Sequence, residues 1–414
     1  MEQINCGINC ENCSEENRFK RFQAIKEQYQ SINLNEFVYD FETYSRPYSM
    51  LLGLTSDCNL KCSYCFVDQK AENMSYETAE QAIKWMQENY KARNKDNKLD
   101  IVFFGGEPLL RFDDLIVPIV EKYKDIASFS ITTNGYLLDE DKVDFFYKNK
   151  VGVLLSFDGV KQVQNKQRVS KEGDSFNTII RNIPYLLLRL PDTTMRATIT
   201  KASIPYLYDT VLMAEELGFE EIAFCPNAFE NWELSDEIEY EKQMMKIGLH
   251  IYKSFFNTPK KVIKVDPIIK TYNKIHASLS NNLKYNNNLL RCGLGTTSCA
   301  ITPKGEIVPC QEKISNPTFI LGDIYKGIDA NKHKEYLDWY IDKLNNYICD
   351  RLCMTTKECV HCLSNICPSR MEDLNFKTST ADCVYTRVNL RITNRLFRLC
   401  AFKINPWINE YFGG

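Results

Sequence analysis

Between residues 49 and 227, six short apolar runs alternate with longer amphipathic stretches. No other feature constrains the fold as tightly. The runs are SMLLGLTS (49–56), LDIVFFGG (99–106), SFSITTNG (128–135), VGVLLSFDG (151–159), TMRATIT (194–200) and EEIAFCPN (220–227). They carry β-branched and aromatic residues and end in Gly, Asn, Ser or Thr, as buried parallel strands do. The intervening stretches have helical periodicity. In SYETAEQAIKWMQENY, Ser75 is placed to cap a helix, and Ala79, Ala82, Ile83 and Met86 form an i, i+3, i+4, i+7 stripe. Six such units make an α/β protein, either a partial barrel or a doubly wound sheet. Both architectures put the ligand site at the carboxyl ends of the strands, so the residues closing each run are the candidates for function.

A chain of 414 residues with 44% hydrophobic and 25% charged residues buries a sizeable core and is not disordered. Its net charge of -3 supplies no general attraction for nucleic acid. No apolar run is long enough for a membrane-spanning helix, and MEQINCGINC has no secretory pattern, so a cytoplasmic location is expected. Seventeen cysteines are then the anomaly, since in a reducing compartment they serve as metal ligands or catalytic groups more often than as disulfides. Six fall in the first 65 residues and ten in the last 123, with Cys225 alone between. Clustering of this kind serves sites. Cys225 and Cys400 sit in apolar runs and are expected in the core.

Residues 231–290 are mostly polar and helical, a bridge between the repeat and the C-terminal region. From 291 to 385 the chain changes to short segments, turns and repeated cysteines, the mark of a smaller domain stapled by something besides its core. In the tail, 386–414, Arg387, Arg391, Arg395 and Arg398 share one helical face. That face suits a docked terminal helix, an anionic membrane surface or an acidic peptide.

The segment CNLKCSYCF comes directly after the first strand and sets Cys58, Cys62 and Cys65 on one loop. Three thiolates hold three irons of a 4Fe–4S cube and leave the fourth without a protein ligand. A zinc knuckle would close its coordination with a fourth residue nearby, and no Cys or His occurs again until Cys225.

This C-x3-C-x2-C spacing, with Tyr64 and Phe66 flanking Cys65, resembles the radical S-adenosylmethionine (SAM) enzymes. The resemblance covers about residues 48–230 and continues through Gly105, Gly106, Glu107 and Pro108 (GGEP), through Thr132 and Asn134 (TTNG), and through Ser156 and Asp158 (SFDG). It implies a partial (β/α)6 TIM-like barrel that binds SAM on the open iron of the cluster. It also implies that the GGEP segment takes the SAM amino group and that Ser156 and Asp158 lie near ribose and substrate. Arg168 would stand near the SAM carboxylate, with Arg196 on the fifth strand. The cofactor then supplies the radical chemistry, and the protein positions the substrate.

RCGLGTTSCAITPKGEIVPC, with Cys292, Cys299 and Cys310, resembles the opening of the SPASM domain of peptide-modifying radical SAM enzymes. The turn PKG suggests a hairpin that brings Cys299 and Cys310 together. Cys349, Cys353, Cys359, Cys362, Cys367 and Cys383 come after it. The resemblance implies two auxiliary 4Fe–4S clusters, three in all. One would rest on Cys292, Cys299 and Cys310 with Cys349 or Cys353, the other on Cys359, Cys362, Cys367 and Cys383.

The implied function is a peptide maturase that installs a crosslink, a Cys thioether or similar, in a ribosomal precursor peptide with a leader. It would draw electrons from a low-potential flavodoxin or ferredoxin. The alternatives are a sulfatase-type formylglycine maturase and a non-catalytic iron–sulfur electron carrier. Sulfatase maturases carry Asp after the Cys equivalent to Cys310, where this chain has Gln311 and then Glu312. Residues 1–47 are a Cys-containing extension and a candidate peptide-docking element. There Cys6, Cys10 and Cys13 repeat the C-x3-C-x2-C spacing without strand or motif beside them, and their role is left open.

Overall fold

The computed structural model describes residues 45–92, 98–257, 262–279, 295–345, 379–401 and 411. Six strands match the six apolar runs: β1 (Ser49–Thr55), β3 (Leu99–Gly105), β4 (Ala127–Thr133), β5 (Gly152–Ser156), β7 (Thr194–Ile199) and β8 (Glu221–Pro226). Two short strands, β2 (Leu60–Cys62) and β6 (Arg168–Ser170), pair with each other, antiparallel, in a separate sheet. The six main strands lie side by side in chain order and parallel, β1-β3-β4-β5-β7-β8. A doubly wound sheet reverses its strand order at a switch point. With no reversal here, right-handed crossovers stack every helix on one side, and the partial barrel is the architecture formed.

The helices follow the expected stripe. Helix α1 (Tyr76–Ala92) starts where the Ser75 hydroxyl accepts a hydrogen bond from the Thr78 amide, 3.1 Å, and it buries Ala79, Ala82, Ile83 and Met86 completely. Further helices cover the sheet in turn: α2 (Val117–Tyr123), α3 (Glu140–Asn149), α4 (Lys161–Gln167), α5 (Ser175–Ile180), α6 (Ile183–Arg189) and α7 (Leu207–Leu217). One hydrophobic core joins these helices, α4 apart, to strand residues such as Leu52, Ile101, Ile131 and Met195.

The bridge consists of α8 (Leu234–Asn257), β9 (Lys264–Val265) and α9 (Asp266–Leu279), and β9 extends the sheet beyond β8. After residue 295 come β10 (Ser298–Ile301), β11 (Glu306–Val308), β12 (Gly322–Asp323), β13 (Gly327–Ile328) and helix α10 (Ala330–Asn345). Strand β10 pairs parallel with β1, so the sheet runs on across the change of sequence character at 291 and reaches eleven strands among the described residues. Helix α11 (Thr380–Ala401) starts before the expected boundary at 386 and packs along α8 and α9. Its arginines meet α8: Arg387 pairs with Glu237 at 2.5 Å, Arg391 with Glu237 and Glu241 at 3.2 and 2.7 Å, and Arg395 with Glu241 at 3.5 Å. The basic stripe is therefore a docking face, and the membrane-surface reading does not hold for these three residues. Among the described residues no helix is long and apolar enough to cross a membrane.

Candidate active site at the strand carboxyl ends

The loop after β1 is held at three places. Thr55 bridges Asn73 at its base, where the Thr55 hydroxyl donates to Asn73 Oδ1 over 2.7 Å. Strand β2 pairs with β6, setting Cys62 opposite Arg168 and Leu60 opposite Ser170. The GGEP segment closes the third side: the Gly106 amide donates to Thr55 O at 2.8 Å and the Glu107 amide to Asp57 O at 2.9 Å. Both glycines are needed for this approach. Gly105 has φ +139°, and a Cβ on it would stand 2.2 Å from Thr55 O; one on Gly106 would stand 2.1 Å from Asp57 O. The resemblance implied that this segment takes the SAM amino group, and a bare glycine backbone allows such close approach. The structure gives the glycines a prior task, seating the cysteine loop against the end of β3.

Glu107 is completely buried and does not line the cavity. Its carboxylate accepts from the Leu109 amide (3.0 Å), the Thr133 hydroxyl (2.7 Å) and the Asn134 amide (2.8 Å), clamping the end of β3 to the end of β4. Burial pushes its carboxyl up to about 7, against the pull of these donors. Pro108 is buried at the start of the adjoining short helix. For both residues the expected place in the cofactor pocket is corrected to a place in its scaffold.

Asp158 is corrected in the same way. One carboxylate oxygen accepts from Arg168 Nη2 (3.1 Å) and the Thr198 amide (2.9 Å). The other accepts from the Tyr64 hydroxyl (2.5 Å) and Gln167 Nε2 (2.8 Å). Four donors leave this buried carboxylate nothing to offer a ligand, so it is a hub tying the cysteine loop to β6 and β7.

Between these anchors lies a cavity of about 190 Å³ at the carboxyl ends of the strands. Cys58, Cys62, Cys65, Tyr64, Phe66, Gly105, Gly106, Thr132, Asn134, Ser156, Arg168 and Arg196 all line it, gathered from separate stretches of sequence. Phe66 stacks on Phe104, with ring centres 6.2 Å apart. Cys58 and Cys62 are half-buried and Cys65 is exposed. Burial raises the Cys58 thiol to about 12, and it raises Cys62 to about 11 despite the guanidinium of Arg168 beside it. Without a metal these thiols keep their protons, and ligation must displace them.

The donor set fits an iron–sulfur cube with SAM. A single zinc ion gathers its thiolates about one point. Here three thiols of one loop, Cys58, Cys62 and Cys65, line one cavity, and the sequence offers no fourth Cys or His before Cys225. A cube instead spreads its ligands over separate irons. In addition, Arg168 Nε is buried without a hydrogen-bond partner on the cavity wall, a donor suited to a ligand carboxylate.

One wall residue, Cys225, escaped the sequence reading, and a wall segment singled out there for another reason, Gln311 and Glu312, joins the same cavity. Cys225, expected in the core, lines the cavity and accepts from Arg196 Nη2 at 3.5 Å; it lies near the end of β8 at the functional face, and its apolar neighbours masked that position. Gln311 and Glu312 close the far side, brought there by the hairpin of β10 and β11. That hairpin matches Ala300 to Val308, which puts Cys299 and Cys310 at the same end. Their side chains nevertheless part: Cys299 is buried in the main core, while Cys310 packs against the separate cluster of Phe319, Leu321, Tyr336 and Leu337. Cys383 is buried in the first turn of α11. Cys292, Cys349, Cys353, Cys359, Cys362 and Cys367 lie outside the described residues, as do Cys6, Cys10, Cys13 and the side chain of Cys400.

A partial barrel with three thiols on the loop after its first strand, facing a cavity at the strand ends, defines an enzyme that holds an iron–sulfur cluster beside a small cofactor. The Radical SAM superfamily profile matches residues 52–202. An uncharacterised protein of Methanocaldococcus jannaschii is 30% identical over 225 residues, 51% of this chain and 76% of that protein. The chain belongs to the radical SAM superfamily, whose members bind SAM and a 4Fe–4S cluster and catalyse radical chemistry. A cysteine-type anaerobic sulfatase-maturating enzyme of Clostridium perfringens is 33% identical over 151 residues, 33% of this chain and 40% of that enzyme. The match thus spans less than half the length of this curated maturase. The solved structure of native anSMEcpe with bound AdoMet and Cp18Cys peptide superposes with a TM-score of 0.66 at 22% identity, covering 86% of this chain and 99% of that one. At that identity the likeness is one of fold.

Proposed function

We propose that this protein is a peptide maturase that installs a crosslink, a Cys thioether or a related bond, in a ribosomally made, Cys-containing precursor. One observation carries the reading: the cavity that begins at Cys58, Cys62 and Cys65 is closed on its far side by Gln311 and Glu312, directly after Cys310. A substrate reaching the cofactor end therefore passes between the barrel and the Cys-rich hairpin. The opening carries Phe229, which is 44% exposed, and Phe66, which is 38% exposed. Exposed aromatic rings on the cavity wall suit a peptide segment better than a small polar metabolite. The solved neighbour with a bound Cys peptide has the same fold.

When bound, SAM and the cluster supply a 5′-deoxyadenosyl radical. The residues of this chain hold and orient. Arg168 Nε offers a donor to the SAM carboxylate, and the backbone of Gly105 and Gly106 lines the side taking the amino group. Thr132 and Ser156, on the same cavity wall, would border its nucleoside, and the stacked rings of Phe66 and Phe104 would offer it an apolar face. Auxiliary clusters on the C-terminal cysteines and a low-potential flavodoxin or ferredoxin donor belong to the same proposal. Formylglycine formation is the second reading. Gln311, an amide, offers no base where sulfatase maturases carry Asp, but Glu312 lines the same cavity one residue on.

Reduced protein, SAM and a Cys-containing precursor encoded beside its gene are to be incubated anaerobically. A thioether removes two hydrogens from the peptide and blocks one thiol from alkylation. An aldehyde at the Cys position would establish the second reading instead. SAM consumption with no change in any such peptide would overturn both.

A further inference from the structure

Two side chains point donors at the sulfurs of the cysteine loop. Asn134 Nδ2 lies 3.8 Å from Cys58 Sγ and 2.9 Å from Asn59 Oδ1. Arg168 Nη1 lies 3.8 Å from Cys62 Sγ. Neither donor is free to swing away. The Asn134 backbone amide is fixed by Glu107 Oε2, and its Oδ1 accepts from the Tyr136 amide at 2.9 Å. Arg168 sits opposite Cys62 in the β2–β6 pair, its second Nη bonded to Asp158, its guanidinium 5.4 Å from the centre of the Tyr64 ring. Both residues are more than nine-tenths buried, so water competes little for these contacts. Cys58 Sγ also accepts from the Leu60 amide at 3.5 Å. Cys65 differs: it is exposed, and its Sγ donates to Val67 O at 3.8 Å.

We propose that Asn134 and Arg168 are positioning residues that set the reduction potential of the cluster held by Cys58, Cys62 and Cys65, by donating to two of its three ligand sulfurs. The inference rests on the reading of those cysteines as cluster ligands. Reduction adds negative charge that spreads onto the sulfurs, and hydrogen bonds and a cation beside them stabilise the reduced form. Loss of either donor therefore makes the cluster harder to reduce. Arg168 contributes charge as well as a hydrogen bond, which makes its effect the larger. Asp158, bonded to the other Nη, also acts on Cys62 and offsets part of that charge, but the guanidinium acts on Cys62 the more strongly of the two and alone donates to its sulfur.

The test is a redox titration of the full chain without SAM, monitored by electron paramagnetic resonance. The signal tracked is the one missing from the Cys58→Ala/Cys62→Ala/Cys65→Ala triple variant. Asn134→Asp keeps the bond to the Tyr136 amide but replaces the donor by an acceptor, and a more negative midpoint potential is expected. Arg168→Gln should shift it further in the same direction, and Arg168→Lys by less. An unchanged potential in Asn134→Asp, with iron and sulfide at parent levels, overturns the inference even where the Arg168 variants fail to fold. A parent protein lacking the signal overturns the cluster reading and the inference with it.

Discussion

Buried Glu107 shows how a residue named by a motif acquires a different task once its neighbours are in place. GGEP is legible as a strand-end segment, but nothing local to it says that its carboxylate will be consumed by Thr133 and Asn134, more than twenty residues downstream. The consequence is measurable. Its carboxyl is raised from the ordinary 4.5 to about 7 by burial, so between those values the folded protein binds a proton that the unfolded chain has released. The contribution is present below about pH 4.5 and is lost as the pH rises through 7, amounting to roughly 3 kcal/mol. Glu107→Gln should remove this slope. Urea unfolding of parent and variant between pH 5 and 8 checks it, and parallel stability profiles for the two would contradict the assignment. Asp158 obeys the same logic: Ser-Phe-Asp-Gly marks a strand end, while its four donors come from three other segments.

Among the elements, α11 shows what a helix's own residues leave open: its basic face favours docking on a neighbouring helix but also fits an anionic membrane surface or an acidic peptide. The choice was made by α8, whose Glu237 and Glu241 stand opposite the arginines. These pairs are partly exposed, with Arg391 at 24% and Glu241 at 30%, so each contributes modestly. A double-mutant cycle of Arg391→Ala with Glu241→Ala should give a coupling of about 0.2–1 kcal/mol that shrinks with added salt. Coupling indistinguishable from zero at low salt would mean that the helices dock through their apolar faces alone. By contrast, α1 was legible in full, cap and stripe together, because its signals lie within one stretch of chain.

For the whole molecule, the sheet joins regions that differ in composition. Strand β10 continues the barrel at β1, and the hairpin behind it delivers Gln311 and Glu312 to the cavity. Cluster content is the property to measure at this scale. A chain with three cubes carries about twelve irons, against about four with the barrel cluster alone. Cys58→Ala/Cys62→Ala/Cys65→Ala should lose about a third of the iron and all SAM cleavage. Cys6→Ala/Cys10→Ala/Cys13→Ala should keep SAM cleavage; its loss would reassign the second triplet to the reaction.

Short-range pattern was legible in the chain alone: six strands and their helices, the cysteine triplet on its loop, and the motif at each strand end. Side-chain periods of two and 3.6 and the spacing of ligands along one loop are local quantities, so they survive without a fold. The rest needed folded neighbours. Strand order chose the barrel over the doubly wound sheet. Folding turned Cys225 toward the cavity, saturated Glu107 and Asp158 with donors, and set Asn134 and Arg168 against Cys58 and Cys62. The contacts behind these outcomes reach across as many as 106 positions, as between Cys62 and Arg168, and no pattern within one segment encodes them.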